Sequence, residues 1–565
     1  MPTSENAAES AWNRRHLAVP RYDGGLLIEP SCDVALELAA ENHRLAGSEM
    51  PVCGEPLSEL RSQTRQAVFL QASAFTRQIG GESEEALSDR QSALLFVGGH
   101  QPSLHHPGVW LKNFVTGDLA RAAEGIGLNL IVDNDVASSR AIRVPFEQSE
   151  NWRWQGIPFD DPAAPQPWEE ATIQNAEVFD RFGTQAAAAM QRLGVESGVE
   201  QYWAAAVAHR RSGCDCLVEC LAAARHQWEM RHGLHNLEFP LSQLCELPMF
   251  RQFVLHILEQ LPDWQNAYNK AVAEYRHVNR VRSRNHPVPN LERRGDWLEA
   301  PFWVWEPTAQ RRERLFARAT SDGLELAAGE TSLGTVPDRG RHGLAAALDA
   351  LEQLSRQGIR LRSRALTTTM FSRLCIADMF LHGIGGAKYD EMTDRLIERC
   401  FGLSAPAFMT VTGTLLLPMA TRNFASADEL ARLKQQSRDL EFNPDRNLSG
   451  DDVDASAANH VAGLIAEKRQ IQAEQLALKG QRNVPRPVRR KQRAENIARY
   501  RRFREINRQL GEFVSDQRRR IADEIDRLEK LRQDQSIHSS RELPACLYPE
   551  ERLANFLTRA EESRS

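Results

Sequence analysis

Two short apolar runs with a helical pattern between them are the clearest feature of the sequence. Residues 93–97 and 128–132 are mostly apolar, and between them apolar residues from Trp110 onward recur three or four positions apart. The runs have the length and composition of buried strands, and the spacing is that of a helix. The pattern therefore predicts a strand–loop–helix–strand unit with two parallel strands. In such a unit the loop after the first strand and the end of the second face one crevice.

Helical and strand patterns alternate through most of the remaining chain. Helical spacing is found at residues 34–44, 57–76, 199–211, 217–230, 249–261, 364–379 and 389–400. Further strands are predicted at 300–305 and 408–418, whereas the Trp- and Pro-rich residues 152–168 have no period and predict a loop. We therefore predict an α/β fold with a parallel sheet. Its core contains residues 1–445, with a helical insertion at about 150–290.

The pattern changes to heptads after residue 451. Apolar residues at heptad-like steps form two series, which are Val461, Leu464, Ile471 and Leu478, and then Leu510, Val514, Ile521, Leu528 and Leu531. Two prolines within 483–487 cannot continue a helix between them. We predict an antiparallel coiled-coil hairpin over 446–540 that packs on itself or on a partner subunit, and a segment 541–565 that returns to the core. The apolar heptads lead us to expect a homodimer.

Composition narrows the classes of function. The 565 residues carry a net charge of -6, so the chain as a whole has no attraction to nucleic acid or to anionic membranes. The first residues lack the basic and apolar regions of a signal peptide, and no run approaches the ~18 apolar residues of a membrane span. We therefore expect a cytoplasmic protein without membrane contact.

A basic run lies at the predicted tip of the hairpin. It contains Arg482, Arg486, Arg489, Arg490, Lys491, Arg493, Arg499, Arg501, Arg502 and Arg504. Clustered arginines gain affinity for polyanions by releasing counterions, but only Tyr500 and Phe503 offer stacking surfaces here. We favour a solvated tip over a nucleic-acid surface. A non-enzymatic scaffold that binds a polyanion at this tip is the alternative.

The cysteines favour reduced thiols. Nine cysteines, odd in number and irregularly spaced, do not suit a disulfide framework. Cys214, Cys216 and Cys220 form a cluster, but their spacing matches no common zinc pattern, and a fourth ligand such as His226 or His232 would be needed. The helical surroundings favour buried helix cysteines. No metal is predicted.

The segment after the first strand carries the candidate chemistry. Imidazole titrates near neutral pH, so His100 and His105 could exchange protons with a substrate, and Asp133 could orient one of them. We predict that these three residues are catalytic. The predicted substrate-binding residues nearby are Gly98, Gly99, Gln101, His106, Lys112, Asn113 and Asp135. The structural alternative is that the histidines only pack and cap the turn and that the aspartates cap helices.

A second glycine-rich turn at 382–386 leads into a helix that begins near Lys388 and Tyr389. We add both residues to the predicted substrate-binding set. The alternative is a glycine-terminated helix whose polar residues face water.

These motifs resemble the signatures of the bacillithiol biosynthesis cysteine-adding enzyme family. The family's Thr-Gly-Gln-Gln, Gly-Pro and Lys-bearing helix are similar to Gly98–Gln101, Pro107–Gly108 and Lys112, and its acidic Glu-Asp-His-Asp motif is similar to Asp133–Asp135. Its later glycine turn, its coiled coil and its closing Gln-Glu-Arg motif are similar to 383–389, 451–535 and 549–552. The chain departs from the family at His100, Asn134 and Ala387–Lys388.

The resemblance implies a Rossmann-like core, a dimerising coiled coil and a ligase-like activity. The enzyme would join an amino acid, cysteine or an analogue, to the amine of an aminosugar-type acceptor. His100 or His105 would deprotonate the amine, and Lys112 would neutralise the developing oxyanion. The cofactor is left open, with ATP as the candidate. Because the histidine segment is also similar to the histidine loop of nucleotidylyltransferases, a nucleotidyl- or phosphate-handling transferase on the same core is the alternative.

Overall fold

A computed structural model describes residues 17–82, 92–148, 151–281, 288–307, 311–419, 426–448, 453–454, 456–479 and 486–559. Side chains are described for all of these except residues 151, 427, 478–479 and 486–493. The predicted heptad residue Leu478 and much of the predicted basic run lie outside the described side chains. The affected basic residues are Arg482, Arg486, Arg489, Arg490, Lys491 and Arg493.

The described chain divides into two compact units. The first contains the described residues up to Phe146, Trp154–Met419 and those from Ser540 onward. The second contains those of Glu147–Arg153 and those between Ala420 and Ser539. The second unit thus begins before residue 446, where the sequence analysis placed its start.

The C-terminal segment belongs to the first unit. There the Tyr548 hydroxyl donates a hydrogen bond to the Leu415 carbonyl oxygen at 2.9 Å.

The strands, labelled in chain order, are β1 (Gly25–Glu29), β2 (Pro51–Val52), β3 (Glu55–Pro56), β4 (Leu95–His100), β5 (Ile126–Ile131), β6 (Val136–Ala137), β7 (Ala141–Gln148), β8 (Asn151–Pro158), β9 (Gln166–Pro167), β10 (Leu237–Pro240), β11 (Arg293–Arg294), β12 (Trp297–Trp305), β13 (Glu313–Thr320), β14 (Gly323–Ala328), β15 (Thr331–Pro337), β16 (Arg360–Ser363), β17 (Met379–His382) and β18 (Phe408–Thr414).

The helices are α1 (Cys32–Ala46), α2 (Leu57–Gln78), α3 (Pro107–Ala122), α4 (Ala176–Arg192), α5 (Val199–Arg211), α6 (Leu217–Arg231), α7 (Leu241–Leu244), α8 (Pro248–Glu259), α9 (Leu261–Val278), α10 (Arg339–His342), α11 (Leu344–Arg356), α12 (Ala365–Cys375), α13 (Ile384–Phe401), α14 (Ala427–Phe442), α15 (Ala458–Lys479), α16 (Arg486–Phe513), α17 (Ser515–His538) and α18 (Glu550–Thr558). Each of these helices is either too short or too polar to be a bilayer-spanning segment.

A six-stranded central sheet forms the core of the first unit, and the fold is mixed α/β. Its strand order is β1-β18-β17-β4-β5-β10. All neighbouring strands are parallel except β1, which pairs antiparallel with β18 at one edge. All six residues of β5 are buried, as expected for a parallel strand that is covered on both faces. The chain builds outward from β4 to β5 and β10 on one side, and returns to β17 and β18 on the other.

Helix α3 connects β4 to β5 and begins close to the sheet. His106 is its N-cap, and the His106 Nδ1 accepts a hydrogen bond from the Gly108 backbone N–H at 3.1 Å. Pro107 occupies the first helical position, where its missing N–H is not needed. A Cβ at residue 108 would lie 2.0 Å from the Gly413 carbonyl oxygen, so only glycine permits this approach to β18. The strand–helix–strand unit predicted from the apolar runs is confirmed.

A second, antiparallel sheet lies in the same unit. Its strand order is β11-β12-β13-β14-β15, and β16 pairs with the free side of β12. Most of β12 is buried, and Trp303 is half-buried between the buried Phe302 and Val304. Successive side chains of a strand point to opposite faces. This alternation places the intervening Trp303 on the opposite face of the sheet.

The structure differs from the sequence-based prediction in several elements. β4 extends to His100, so Gly98 and Gly99 pair with Asn129 and Leu130 as strand residues and do not form an open turn. Residues 152–168, predicted as a loop, contain most of β8 and all of β9, because alternating Trp and polar residues form a hairpin with β7. The helix predicted at 364–379 ends at Cys375, and the four-residue strand β17 follows.

The helices α14 to α17 build the second unit. Val461, Leu464 and Ile471 of α15 pack against Ile506 and Leu510 of α16. Helix α14 packs against α17 through Leu430 and Leu528. Leu440, also in α14, packs against Val514 and Ile521. Most of the predicted heptad residues therefore contact other helices of the same chain.

Candidate active site

A cavity of about 330 Å³ opens beside the carboxyl ends of β4, β5 and β17. It lies where strand order reverses between β4 and β17, the position at which open α/β sheets leave a crevice. Its volume is within the range of small-molecule sites. The cavity is lined by Gly99, Leu130, Val132, Asn134, Asp135, Tyr268, Val288, Pro289, Trp303, Arg312, Ser363, Arg364, Ala365, Leu366, Thr368, Thr369, Phe380 and His382.

Two arginines and a tryptophan from outside the central sheet shape one side of the cavity. The guanidinium carbons of Arg312 and Arg364 lie 4.8 Å and 4.3 Å from the centre of the Trp303 ring. Stacking on an aromatic face holds each guanidinium in a fixed plane. Arg312 also donates to the Asn134 carbonyl oxygen and to Asp135 Oδ1, both at 2.8 Å. The positive charge of Arg312 is therefore largely balanced within the protein.

Arg364 is less completely satisfied. Its Nη2 lies 2.8 Å from Oε1 of the fully buried Glu299, and Arg364 itself is only 9% exposed. Its Nε has no hydrogen-bond partner among the described residues. A buried donor without a partner is costly. Because Arg364 lines the cavity, its guanidinium suits an anionic group there.

His382, at the end of β17, is held by a buried carboxylate. His382 Nε2 lies 3.0 Å from Asp390 Oδ2, and Asp390 also accepts hydrogen bonds of 2.6 Å from Thr369 and from Arg373. Burial by itself raises the pKa of Asp390. The opposite effect of Arg373, and then of His382, is larger, so the pKa lies well below its ordinary value. The carboxylate is therefore ionised and can only accept, so in the neutral ring Nε2 carries the proton. Nδ1 is then the nitrogen that can take up another proton.

The first turn of α13 leaves room for this histidine. A Cβ at residue 386 would lie 2.8 Å from His382 Nδ1. Glycine at position 386 therefore keeps Nδ1 unobstructed.

The predicted catalytic histidines cluster together but do not line the cavity. The rings of His100 and His105 pack edge to face with centroids 4.9 Å apart. Burial, followed by the charge of Lys112, lowers the pKa of His100 to about 3. Burial, followed by His100, lowers the pKa of His105 well below its ordinary value. Both rings are therefore neutral at pH 7 and poorly suited to accept protons.

His106 serves the helix. Besides capping α3, its Nε2 lies 3.6 Å from Glu542 Oε2. Burial, followed by Arg541, lowers the pKa of His106 to about 3. The histidine thus fixes the C-terminal segment against the start of α3.

The predicted catalytic Asp133 is turned toward α7. Its Oδ1 accepts a hydrogen bond from the Ser242 backbone N–H at 2.8 Å, and its Oδ2 accepts one from the Ser242 hydroxyl. Burial, and then Glu169, raise the pKa of Asp133 to about 7 despite these bonds. Asp133 is not among the cavity-lining residues, so the structure separates it from the candidate site.

The remaining predicted binding residues divide into two groups. Gly99 and Asp135 line the cavity, and Gln101 donates a hydrogen bond to Asp135 Oδ2. Lys112 does not line the cavity but contacts a residue that does, because its Nζ donates a hydrogen bond to the Gly99 carbonyl oxygen at 2.7 Å. Burial lowers the pKa of Lys112 to about 8. This lysine therefore supports the end of β4 from the helix side.

The second group lies away from the cavity. Gly98 pairs within the central sheet with both neighbouring strands. Asn113 is buried and donates a hydrogen bond to Glu229 Oε1 at 2.7 Å, which is a structural contact. Lys388 is exposed on α13, and the Tyr389 ring lies 6.0 Å from that of Tyr275.

Sequence reasoning missed the residues that give the cavity its chemistry. Arg312, Arg364 and Trp303 come from the antiparallel sheet and its connections, far along the chain from β4. Only the aromatic run at 300–305 gave a local signal. For His382 and Asp390 a signal existed, because His382 begins the glycine-rich turn that the sequence indicated as a second candidate segment and Asp390 follows it.

The donors in the cavity suit an anionic organic ligand better than a metal ion. Asp135 is the carboxylate among the lining residues, and Arg312 and Gln101 already engage it. A divalent cation prefers several oxygen ligands with negative charge. The two arginines instead suit a carboxylate or a phosphate.

Comparison with known proteins adds no family assignment. No protein-family model matches the chain, and no curated protein matches it.

Proposed function

We propose that the protein is a ligase-like enzyme that binds an amino acid in this cavity and joins it to the amine of a second, aminosugar-type substrate. The observation that carries the proposal is that Arg364 and His382 line one cavity at the reversal of strand order. Arg364 Nε has no partner among the described residues, and Asp390 holds His382. Arg364 suits the binding of a carboxylate, and His382 suits proton transfer.

Arg364 is the proposed anchor for the carboxylate. A guanidinium stacked on Trp303 presents its donors in a fixed plane, which matches the planar geometry of a carboxylate. A charge-assisted hydrogen bond to the buried Nε would be shielded from water and is therefore stronger than one at the surface.

His382 is the proposed base. Formation of an amide requires the attacking amine to lose a proton as the new carbon–nitrogen bond forms. His382 Nδ1 would accept that proton, and the ionised Asp390 on Nε2 would stabilise the resulting imidazolium. A free carboxylate must also be activated before an amine can displace its oxygen, and ATP remains the candidate for that role.

We infer that the first unit is Rossmann-like. Counted along the chain, the parallel strands β4, β5, β10, β17 and β18 take the spatial order 3-2-1-4-5, which is the order of that fold class. The resemblance to the cysteine-adding enzyme family rests on the motifs of the sequence, and this strand order supports it. The basis for an amino acid as substrate is therefore a combination of resemblance and site chemistry.

The proposal also includes a homodimer formed through the coiled-coil-like second unit. Because most heptad residues are covered within the chain, the contact would have to use other apolar side chains. Leu476 of α15 and Ile497 and Tyr500 of α16 are 75%, 47% and 58% exposed. Light scattering of the full-length protein tests this, and a monomeric mass would contradict it.

A thermal-shift screen tests the proposed function. The protein would be titrated separately with amino acids, with aminosugars and with ATP and Mg²⁺, because a ligand that binds the folded state raises the melting temperature. We expect amino acids to raise it. The Arg364→Lys substitution keeps the charge beside Glu299 but loses the planar donors, so we expect an affinity about tenfold lower.

The matched control is Arg318→Lys. Arg318 also stacks on a tryptophan, with its guanidinium 4.6 Å from the Trp297 ring, and pairs with Glu325, but it does not line the cavity. Equal amino-acid responses in both variants would contradict the proposed anchor. A response to ATP alone, with release of pyrophosphate, would instead favour the phosphate-handling transferase.

A further inference from the structure

A second group of reactive side chains lies at the junction of α5 and α6, away from the cavity. His209 is in the last turn of α5, Cys214 is in the connecting turn, and Glu219 is in the first turn of α6. One ligand atom from each of the three residues lies within 4.8 Å of the others. The Glu219 Oε2 is 3.4 Å from His209 Nε2 and 3.2 Å from Cys214 Sγ.

We propose that His209, Cys214 and Glu219 bind one Zn²⁺-type ion. Nitrogen, sulfur and oxygen donors of these three kinds are the usual protein ligands of zinc. Metal–ligand bonds of 2.0–2.3 Å in a tetrahedron place neighbouring donor atoms roughly 3.3–3.7 Å apart. The two measured separations are close to that range, so small side-chain movements would complete the site. A water molecule would take the fourth position.

The surroundings favour entry and retention of an ion. The side chains of His209 and Glu219 are 12% and 20% exposed, so the site is enclosed but reachable from solvent. Gln78 donates a hydrogen bond to Glu219 Oε2 at 2.9 Å and fixes the carboxylate from α2. Outer-shell bonds of this type orient metal ligands. In the metal-free protein the Cys214 thiol donates to Glu219, so binding would form the metal–thiolate bond and release that proton to solvent.

These three ligands differ from the set considered in the sequence analysis, which was Cys214, Cys216 and Cys220 with His226 or His232 as a fourth ligand. His226 Nδ1 is 3.3 Å from the buried Glu238, and the His232 ring stacks on Trp228 with centroids 3.7 Å apart. Another group of potential ligands, His226, Glu229 and Glu238, surrounds the Arg225 guanidinium, whose charge already neutralises the carboxylates. Among the described residues, Glu219 of the His209 group pairs with His209 and with no arginine or lysine.

Cobalt substitution tests the site in the full-length protein. After treatment with a chelator and its removal, the protein would be titrated with Co²⁺ and then with Zn²⁺. We expect one Co²⁺ per chain, a thiolate-to-cobalt charge-transfer band in the near ultraviolet, and loss of that band when Zn²⁺ displaces the cobalt.

Variants identify the ligands. We expect Cys214→Ser to abolish the charge-transfer band and His209→Gln to weaken Co²⁺ binding at least tenfold. Cys400→Ser, which removes a half-buried cysteine in α13, should leave the band unchanged. Circular dichroism of each metal-free variant shows that it is folded. The proposal is overturned if the wild type shows no band, or if the band persists in Cys214→Ser.

Discussion

The two ends of the central sheet use buried charge in opposite ways. At the amino end, Asp378 precedes β17, and its fully buried carboxylate receives hydrogen bonds from Arg61 at 2.5 Å, Arg65 at 3.0 Å and the Leu95 backbone N–H at 2.7 Å. At the carboxyl end, Arg364 faces a cavity with its Nε unpartnered among the described residues. The Asp378 carboxylate is fully engaged within the protein, although Arg65 Nε beside it also has no partner among the described residues. At the carboxyl end it is the arginine that lines a cavity, where the proposed ligand would bind.

Two aspartates show the same difference through their titration. Burial raises the pKa of Asp378, but His43, Arg61 and Arg65 lower it to about 2. Asp133, near the carboxyl end, is buried beside Glu169, and its pKa rises to about 7. The protein therefore stabilises the charged form of Asp378 and the neutral form of Asp133. The difference arises from the neighbouring charges, which are two arginines for Asp378 and a second carboxylate for Asp133.

Asp378→Asn should give the largest effect. The amide cannot neutralise Arg61 and Arg65, which would remain buried with uncompensated charge. We expect a loss of about 3–5 kcal/mol in the free energy of unfolding, measured by urea denaturation. A loss below about 1 kcal/mol would show that this end of the sheet is not held by its charges.

His382→Gln should separate function from stability. Asp390 keeps its bonds from Thr369 and Arg373, so we expect a stability loss of only about 1 kcal/mol. Amide formation, once the screen has identified the substrates, should slow by about 10² to 10⁴. The control is His100→Gln, whose rate should fall less than about tenfold. A larger loss of rate in His100→Gln than in His382→Gln would instead indicate that His100 is the reactive histidine.

Asp133→Asn should change how the stability of the protein depends on pH. A pKa raised in the folded state means that protonation of Asp133 stabilises the fold. That stability is present below about pH 4 and is lost as the pH rises through about 7. Asparagine cannot ionise, so the variant should gain stability relative to the wild type between pH 5 and pH 8. The exposed substitution Asp349→Asn is the control, and parallel pH profiles for wild type and Asp133→Asn would contradict the raised pKa.

The parts of the fold that sequence could predict are those with strong local patterns. The apolar runs of β4 and β5 and the helical spacing of α2, α5 and α6 determine those elements locally. β17 has only four residues, of which the predicted helix 364–379 included Met379 and the predicted glycine-rich turn included His382. Of the antiparallel sheet, the sequence predicted only a strand at 300–305, within β12. Other strands of this sheet were missed because, as in β13, they carry charged residues on their exposed face.

The cavity lies at the edge of the sheet that the sequence indicated, but most of its lining residues differ from the predicted ones. The turn after β4 drew attention to His100 and His105, yet burial removes their ability to titrate near neutral pH. Burial and partners are tertiary properties, so no pattern within that segment could reveal them. Arg312 precedes β13 and Arg364 follows β16, and both of these strands pair with β12. The pairing of β12 with β16 is likewise a long-range event.

A crystal structure of the protein grown with cysteine and an aminosugar acceptor tests the central claim most directly. We predict electron density in the cavity, with the amino acid carboxylate in hydrogen-bond contact with Arg364 Nε and an amine within reach of His382. Ligand density beside His100, His105 and Asp133, with the cavity containing only water, would contradict this account.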